Sequence, residues 1–433
     1  MDIMDRLKSR AEEVEVMELG NEKTLVEYEA NQLKTCTVAE TKGKALRVIR
    51  AGRQGFAASS DESAVEKLAA NALESAAYGD LVNYSFAAPA RAPTVRTFDP
   101  KIAALPIERL VEIGKEALDL VLAVEPEARC SIGISRSLVT AGIRNQKGLD
   151  AAYRTSPFSI GLEIDRIVDD DVLILYDQLG TTLWDDDYLA FARRLVEKLK
   201  LARKIVSIKP GRMPVLFSPV GALALGLPLC EGLNGKEVYK GTSPIAQRIG
   251  ERLFDAKIGI VDDGTIDGKF ASSPYDDEGV PRRRNVLVDQ GVLKSFVYDL
   301  KTAAQSGLES TGNASRGLWS PPSPSFTNLS IEPGETALAD MLSGIDEGII
   351  VEGVLGLGQG NIISGAFSNP LALAFKVEKG QITGRVKDLS IAGNVYEVLK
   401  DVAAVSRETE WVYGAYRAPY LLISDMNVAG KAC

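Results

Sequence analysis

Thr24-Leu25-Val26-Glu27-Tyr28-Glu29-Ala30, Leu33-Lys34-Thr35-Cys36-Thr37-Val38-Ala39-Glu40 and Ala45-Leu46-Arg47-Val48-Ile49-Arg50 read as three short strands in close succession. Their apolar and β-branched residues recur in a strand-like way, and Thr41-Lys42-Gly43-Lys44 and Ala51-Gly52-Arg53-Gln54 carry turn chemistry between and after them. Strands joined by tight turns pair without a crossover helix, so a meander of this kind builds an antiparallel or mixed sheet. The spacing predicts an α+β protein, not a doubly wound α/β one.

Outward from the meander, Ser59 and Glu62 stand at capping-box spacing and open a helix carrying Val65, Leu68, Ala69, Ala72, Leu73 and Ala76 at helical period. Residues 86–106, rich in Ala and Pro, read as a linker across the surface. Pro106 then starts a second amphipathic helix with Leu110, Val111, Ala117, Leu118, Val121 and Leu122 inward. Strand patterns return around residues 131–134, 149–155 and 159–166, with a turn at Asn145-Gln146-Lys147-Gly148, and a helix covers residues 188–202. Residues 1–205 therefore read as an α+β domain of strand meanders with covering helices.

Residues 206–433 read as a β-rich C-terminal domain. Val215-Leu216-Phe217 is a buried-strand candidate, and Ser218-Pro219 opens an apolar helix to about Glu231. Thr242-Ser243-Pro244 repeats that start signal and predicts a short helix over residues 245–254. Residues 285–298 predict an antiparallel hairpin around Asp289-Gln290-Gly291, where Gly291 takes the left-handed position.

The chain has 433 residues, 45% hydrophobic and 25% charged, with a net charge of −9. That balance disfavours nucleic acid and anionic membranes as partners. Arg282-Arg283-Arg284 follows Asp276-Asp277-Glu278, which predicts a locally balanced, salt-bridged surface, not a basic footprint. No apolar run reaches the ~20 residues needed to span a bilayer. Residues 1–6 lack the pattern of a signal peptide, and Cys36, Cys130, Cys230 and Cys433 form no CxxC pair, so a cytoplasmic protein is expected. There is no histidine, which removes the commonest general base, the usual zinc ligand and every Ser-His or Cys-His nucleophile.

Several stretches taken in order resemble the TldD/PmbA family, the modulators of DNA gyrase. They are Gly241-Thr242-Ser243 with Gly250-Glu251, Val261-Asp262-Asp263-Gly264, Asp276-Asp277-Glu278-Gly279 and Gly291-Val292-Leu293-Lys294. Ser310-Thr311-Gly312-Asn313, Ser364-Gly365-Ala366-Phe367-Ser368 and Ile391-Ala392-Gly393-Asn394 continue the series. The resemblance is strong over residues 212–400. It implies a pair of related subunits, one holding a catalytic metal through an H-E-x-x-x-H helix and a cysteine near its C-terminus. In this chain Gly226, Leu227 and Glu231 stand where the first histidine, the glutamate and the last histidine would be. The resemblance thus implies a TldE-like, metal-free subunit that binds no cofactor, with zinc on a TldD-like partner. The pair would degrade unfolded peptides, and in isolation this chain could also form a homodimer.

Asp277, Glu278 and Gly279, with Thr311, Gly312 and Asn313, are the candidate substrate-cavity residues implied by the resemblance. Asp276-Asp277-Glu278 is otherwise a solvated acidic turn or a cation loop, and residues 310–313 are otherwise a plain turn. Cys230-Glu231 pairs a thiol with a carboxylate, but without a histidine or an electropositive neighbour a buried structural cysteine is the better reading. Gly356-x-Gly358-x-Gly360 fails as a phosphate loop, since Asn361-Ile362-Ile363 reads as strand and not as helix. The rival functions are a stand-alone peptide-binding scaffold and a hydrolase working with carboxylates alone.

Overall fold

The computed structural model describes residues 3–61, 63–359 and 361–430. The meander becomes strands far longer than the local pattern indicates: β1 (Glu13–Glu29) and β2 (Gln32–Arg50) run antiparallel along their whole length. Thr41-Lys42-Gly43-Lys44 is not a turn but the middle of β2, paired with Asn21, Gly20, Leu19 and Glu18 of β1. The ladder satisfies the backbone there, and Gly43 permits a close approach: a Cβ on it would lie 2.4 Å from Leu318 Cδ2. The reversal comes instead at Ala30-Asn31, both at positive φ, and the turn at Ala51-Gly52 stands as expected.

β3 (Arg53–Ser59), β4 (Arg129–Asn145), β5 (Asp150–Thr155), β6 (Phe158–Val168) and β7 (Asp171–Thr181) complete an antiparallel sheet in the order β3-β2-β1-β4-β6-β7, with β5 beside β4. Along β6 every second residue, Phe158, Ile160, Leu162 and Ile164, is fully buried. Each is worth about 1.5–3 kcal/mol when removed from water. After α1 (Ile3–Leu7), helix α2 (Val65–Ala76) covers the β2–β3 end with Leu68, Ala69, Ala72 and Leu73. It starts at Val65, because Ser59 ends β3 and takes the Asp61 N–H; Glu62 lies outside the described residues. The linker runs extended to α3 (Pro100–Ala103), whose cap is Asp99, and α4 (Ile107–Leu122) and α5 (Ala190–Ala202) cover the sheet face that carries Phe158 and Ile160.

The second sheet has eleven strands. β8 (Gly211–Phe217) leads into α6 (Leu223–Leu233) and α7 (Gly235–Tyr239), followed by β9 (Ile260–Asp263), β10 (Arg284–Asp289) and β11 (Val292–Leu293). Helix α8 (Leu300–Gln305) and a two-stranded ribbon, β12 (Ala314–Ser315) with β13 (Ser323–Pro324), precede β14 (Leu329–Ile331) and β15 (Glu347–Val354). β16 (Ala366–Glu378), β17 (Gln381–Val386), β18 (Leu389–Asn394), β19 (Ala404–Val412) and β20 (Tyr416–Gly430) end the chain's described part. β8 pairs with both β15 and β20, so β8, β15, β16, β18 and β20 close on themselves around a core holding Val215, Phe217, Ile349 and Leu421. Leu216, on the other face of β8, joins the core under α4 and α5, which sit between the two sheets. The architecture is α+β, with one antiparallel sheet and one mixed sheet.

The 285–298 hairpin forms, but Gln290 and Gly291 alone make its loop, both at positive φ, and strand structure stops at Leu293. Beyond it the backbone of Val297 is bonded to Leu233 and Gly235 at the end of α6. Residues 245–254 are turns and not a helix: Ser243 donates its hydroxyl to Gly232 O, and Leu253 N–H bonds Gly291 O, so their groups serve the hairpin and α6. Ile362–Ser364 is a 3-10 turn in place of the expected strand; Gly360 and Cys433 lie outside the described residues. Among the described residues no helix is long and apolar enough to cross a membrane.

Candidate functional site

Ser218, at the end of β8, takes the Gly221 N–H on its hydroxyl and starts the turn that becomes α6. The helix is almost wholly apolar and holds Pro228, which leaves the Ala224 carbonyl without its usual donor. Two of its glycines are contact points. A Cβ on Gly226 would lie 2.9 Å from Tyr416 Oη and 3.0 Å from Cζ; one on Gly232 would lie 1.9 Å from Tyr396 Oη. Two phenols from distant elements therefore rest on the helix where it has no side chains. Both hydroxyls are buried without a hydrogen-bond partner.

Burial, first of all, holds both phenols far above the ordinary tyrosine range, with the Cys230 sulfur adding to it at Tyr416 and the Glu231 carboxylate at Tyr396. Burial likewise pushes the Cys230 thiol up to about 12, helped by Asp262 and Glu231. That disfavours Cys230 as a thiolate nucleophile at neutral pH.

A catalytic metal of the kind the resemblance implies does not fit here. Gly226 has no side chain, Leu227 offers only alkyl carbon, and Glu231 supplies a single carboxylate. The space into which a ligand at position 226 would reach is filled by Tyr416. Among the described residues no three Cys, Asp or Glu side chains converge as a metal would need.

The second constellation lies where the two sheets meet. Asp276 is fully buried and accepts the N–H groups of Glu278, Val280 and Ala314 at 2.9, 2.9 and 3.0 Å. Asp277 accepts Arg316 N–H at 2.9 Å. Glu278 receives Arg47 Nη1 at 2.6 Å and Leu300 N–H at 2.7 Å. Arg47, which comes from β2, also grips Glu15 of β1 through Nε and Nη2 at 2.8 and 2.7 Å and lies over the Phe86 ring. Arg316 donates to the same Glu15 at 2.8 Å. Two carboxylates and two guanidiniums, all almost fully buried, thus tie the N-terminal sheet to the C-terminal loops. Burial raises the pKa of Asp276 and of Glu278 above the usual carboxylate range, and Arg282 and Arg47 respectively only partly offset it.

The structure brings residues 276–279 and 310–313 together, since Asp277 N–H bonds Ala314 O and Arg282 donates to Gly312 O at 2.7 Å. Thr311 takes the Tyr298 N–H on its hydroxyl, and Asn313 is held by Asp262, Asn285 and Ser325 O. Gly279 and Gly312 both have positive φ. Of the six sequence candidates Glu278 lines a cavity, a space of about 710 Å³ shared with Arg47, Tyr84, Lys236 and Asp299. The Thr311 and Asn313 side chains are buried in internal hydrogen bonds. The salt-bridged surface expected of Asp276-Asp277-Glu278 and Arg282-Arg283-Arg284 is overturned. The carboxylates turn inward, Arg282 and Arg283 donate to backbone carbonyls, and Arg284 pairs with Glu332 at 2.6 Å. Sequence reasoning missed Glu15, Arg47, Arg316 and Tyr416; Arg47 and Glu278 are 231 residues apart, and no local pattern joins them.

A family model described as the PmbA/TldA metallopeptidase C-terminal domain matches residues 210–430, and that family's domain 1 matches residues 14–76. The chain belongs to the TldD/PmbA family. It is 29% identical over 401 residues to an uncharacterized Methanocaldococcus jannaschii protein, covering 90% of each. It is 33% identical over 225 residues to a Haemophilus influenzae metalloprotease TldD homolog, covering 51% of this chain and 46% of that one, so this match spans about half of the metalloprotease. The crystal structure of TldE from Thermococcus kodakarensis superposes with a TM-score of 0.90 at 26% identity, over 99% of this chain and 100% of that chain.

Proposed function

We propose that this chain is the metal-free subunit of a two-chain peptidase of the TldD/PmbA type. A metal-bearing TldD-like homologue supplies the catalytic zinc, and this chain shapes the cavity in which an unfolded peptide is held. The observation that carries the reading is Tyr416 over Gly226: the helix is kept, while the space for its first ligand is filled by a phenol. Peptide hydrolysis at neutral pH needs an activated water; burial disfavours the Cys230 thiolate, and among the described residues no three Cys, Asp or Glu side chains converge to hold a metal that would activate one. A wall without chemistry still matters, since misplacing a bound peptide by ~1 Å can cost about a hundredfold in rate.

Metal analysis and a peptide-cleavage assay on each chain alone and on the mixture test this. The expected result is no stoichiometric zinc and no cleavage by this chain alone, with cleavage by the homologue raised on mixing. Tight zinc in this chain, or cleavage that the homologue does not increase, overturns it.

A further inference from the structure

Lys269 and Arg417 converge on Trp411 from different parts of the chain. The Lys269 ammonium, on the loop after β9, lies over the Trp411 ring at 4.3 Å from its centroid. Arg417 of β20 is the cross-strand partner of Trp411 in β19, so the two side chains leave the sheet on one face. That face is opposite the one that carries Tyr416, since neighbours along a strand alternate. All three residues are half-buried. Both cations are held in place. Arg417 Nε donates to Thr409 Oγ1 at 2.9 Å, which orients the guanidinium and leaves its two Nη groups without a partner among the described residues. On the other side Gly268, at positive φ, donates its N–H to Arg96 O and accepts the Thr182 N–H, each at 2.9 Å.

What this corner lacks is negative charge. Among the described residues neither Lys269 nor Arg417 has a carboxylate in ion-pair contact, although the chain holds 59 acidic residues against 50 basic ones. Neighbouring cations are matched: Arg96 holds Asp267 at 2.8 Å, and Arg194 stands 3.7 Å from Glu410, the residue before Trp411. The two unmatched charges act on each other. Burial first, and then the Arg417 charge, hold the Lys269 ammonium below the ordinary lysine range, and Asp185 offsets this only in part. Half-buried cations without a counter-ion are costly to keep, and the same loss of water strengthens their attraction for an anion.

We propose that Lys269 and Arg417 bind the phosphate group of a small ligand beside Trp411. The guanidinium offers its paired Nη groups to two oxygens, and the ammonium serves a third. Two positive charges match a phosphate monoester, which carries close to two negative charges at neutral pH, whereas a monocarboxylate leaves one cation unanswered. The Trp411 ring keeps the ammonium in position through its π face. A net charge of −9 disfavours a nucleic-acid strand or an anionic membrane as the source of the phosphate.

The test uses the full chain and inorganic phosphate at constant ionic strength, because screening alone weakens an exposed contact. Lysines are converted to their 13C-dimethyl forms and followed by NMR, with the Lys269 signal assigned by its loss in Lys269→Arg. Without phosphate that signal titrates below those of exposed lysines. Phosphate raises its midpoint saturably, since the anion favours the ammonium, and acetate raises it far less. Arg417→Gln raises the midpoint in the absence of phosphate, because the repelling charge is gone, and weakens phosphate binding at least about tenfold. On unmodified protein phosphate changes the tryptophan fluorescence saturably, and Trp411→Phe abolishes that change. Circular dichroism confirms that each variant is folded. A Lys269 midpoint that phosphate leaves in place, a phosphate effect that survives Arg417→Gln, or acetate binding as tight as phosphate overturns the proposal. No partner chain is needed, so either result leaves the peptidase reading untouched.

Discussion

Tyr416 and Gly226 define each other: the phenol fits only because position 226 carries no side chain, with a built Cβ 2.9 Å from its hydroxyl. Restoring the motif's residue types by Gly226→His, Leu227→Glu and Glu231→His is therefore expected to leave zinc binding weak. Adding Tyr416→Ala opens the space and raises zinc affinity at least about tenfold. Competition with a chromophoric chelator measures both proteins. Stoichiometric zinc in the triple variant with Tyr416 present would show that the phenol is no obstacle.

The buried pairing of Arg47 with Glu15 and Glu278 makes a second expectation. Arg47→Ala leaves two carboxylates buried without their shared cation, and breaking a buried pair in this way costs about 3–5 kcal/mol. Glu278→Gln keeps an acceptor for Leu300 N–H and costs less. Urea denaturation ranks the two; an Arg47→Ala protein as stable as the parent would remove the network from the account of how the halves are joined.

Asp276 and Glu278 also set a pH dependence. Burial raises both in the folded protein, so between the ordinary carboxylate range, about 4, and neutrality the folded state binds more protons than the unfolded chain. Stability contributed by these two groups therefore falls as pH rises through that interval. Glu15 acts oppositely and at more acid pH: burial raises it, but Arg47 and Arg316 outweigh that and hold it low. Glu278→Gln is expected to shrink the fall in stability between pH 5 and pH 8. A profile unchanged by the substitution would place the titration elsewhere.

The described cysteines should divide by burial. Burial pushes the thiols of Cys130 and Cys230 each up to about 12, while Cys36 is exposed. In a Cys36→Ser, Cys433→Ser protein a disulfide reagent at pH 7.5 is expected to label nothing quickly until denaturant is added. Rapid native labelling would mean that Cys230 is more accessible and more acidic than its packing against Tyr416 allows.

What the sequence determined by itself is local. Alternation along residues 159–166, helical stripes such as Leu110, Ala117 and Val121, and Gly291 in its turn fixed elements and faces, because each residue's preference there agrees with its neighbours'. The total lack of histidine removed the usual zinc ligand and the commonest general base without any coordinates. Where local chemistry misled, a distant partner had supplied the hydrogen bonds. Gly43 sits inside β2 because β1 runs beside it, and Thr242-Ser243-Pro244 opens no helix because Ser243 answers Gly232. Tertiary structure alone decided that Arg47 meets Glu278, that Arg316 meets Glu15 across 301 residues, and that Tyr416 closes the space over Gly226. Those contacts arise from how two sheets dock, and the periods of 2 and 3.6 residues that a sequence displays encode which face is buried, not what that face will touch.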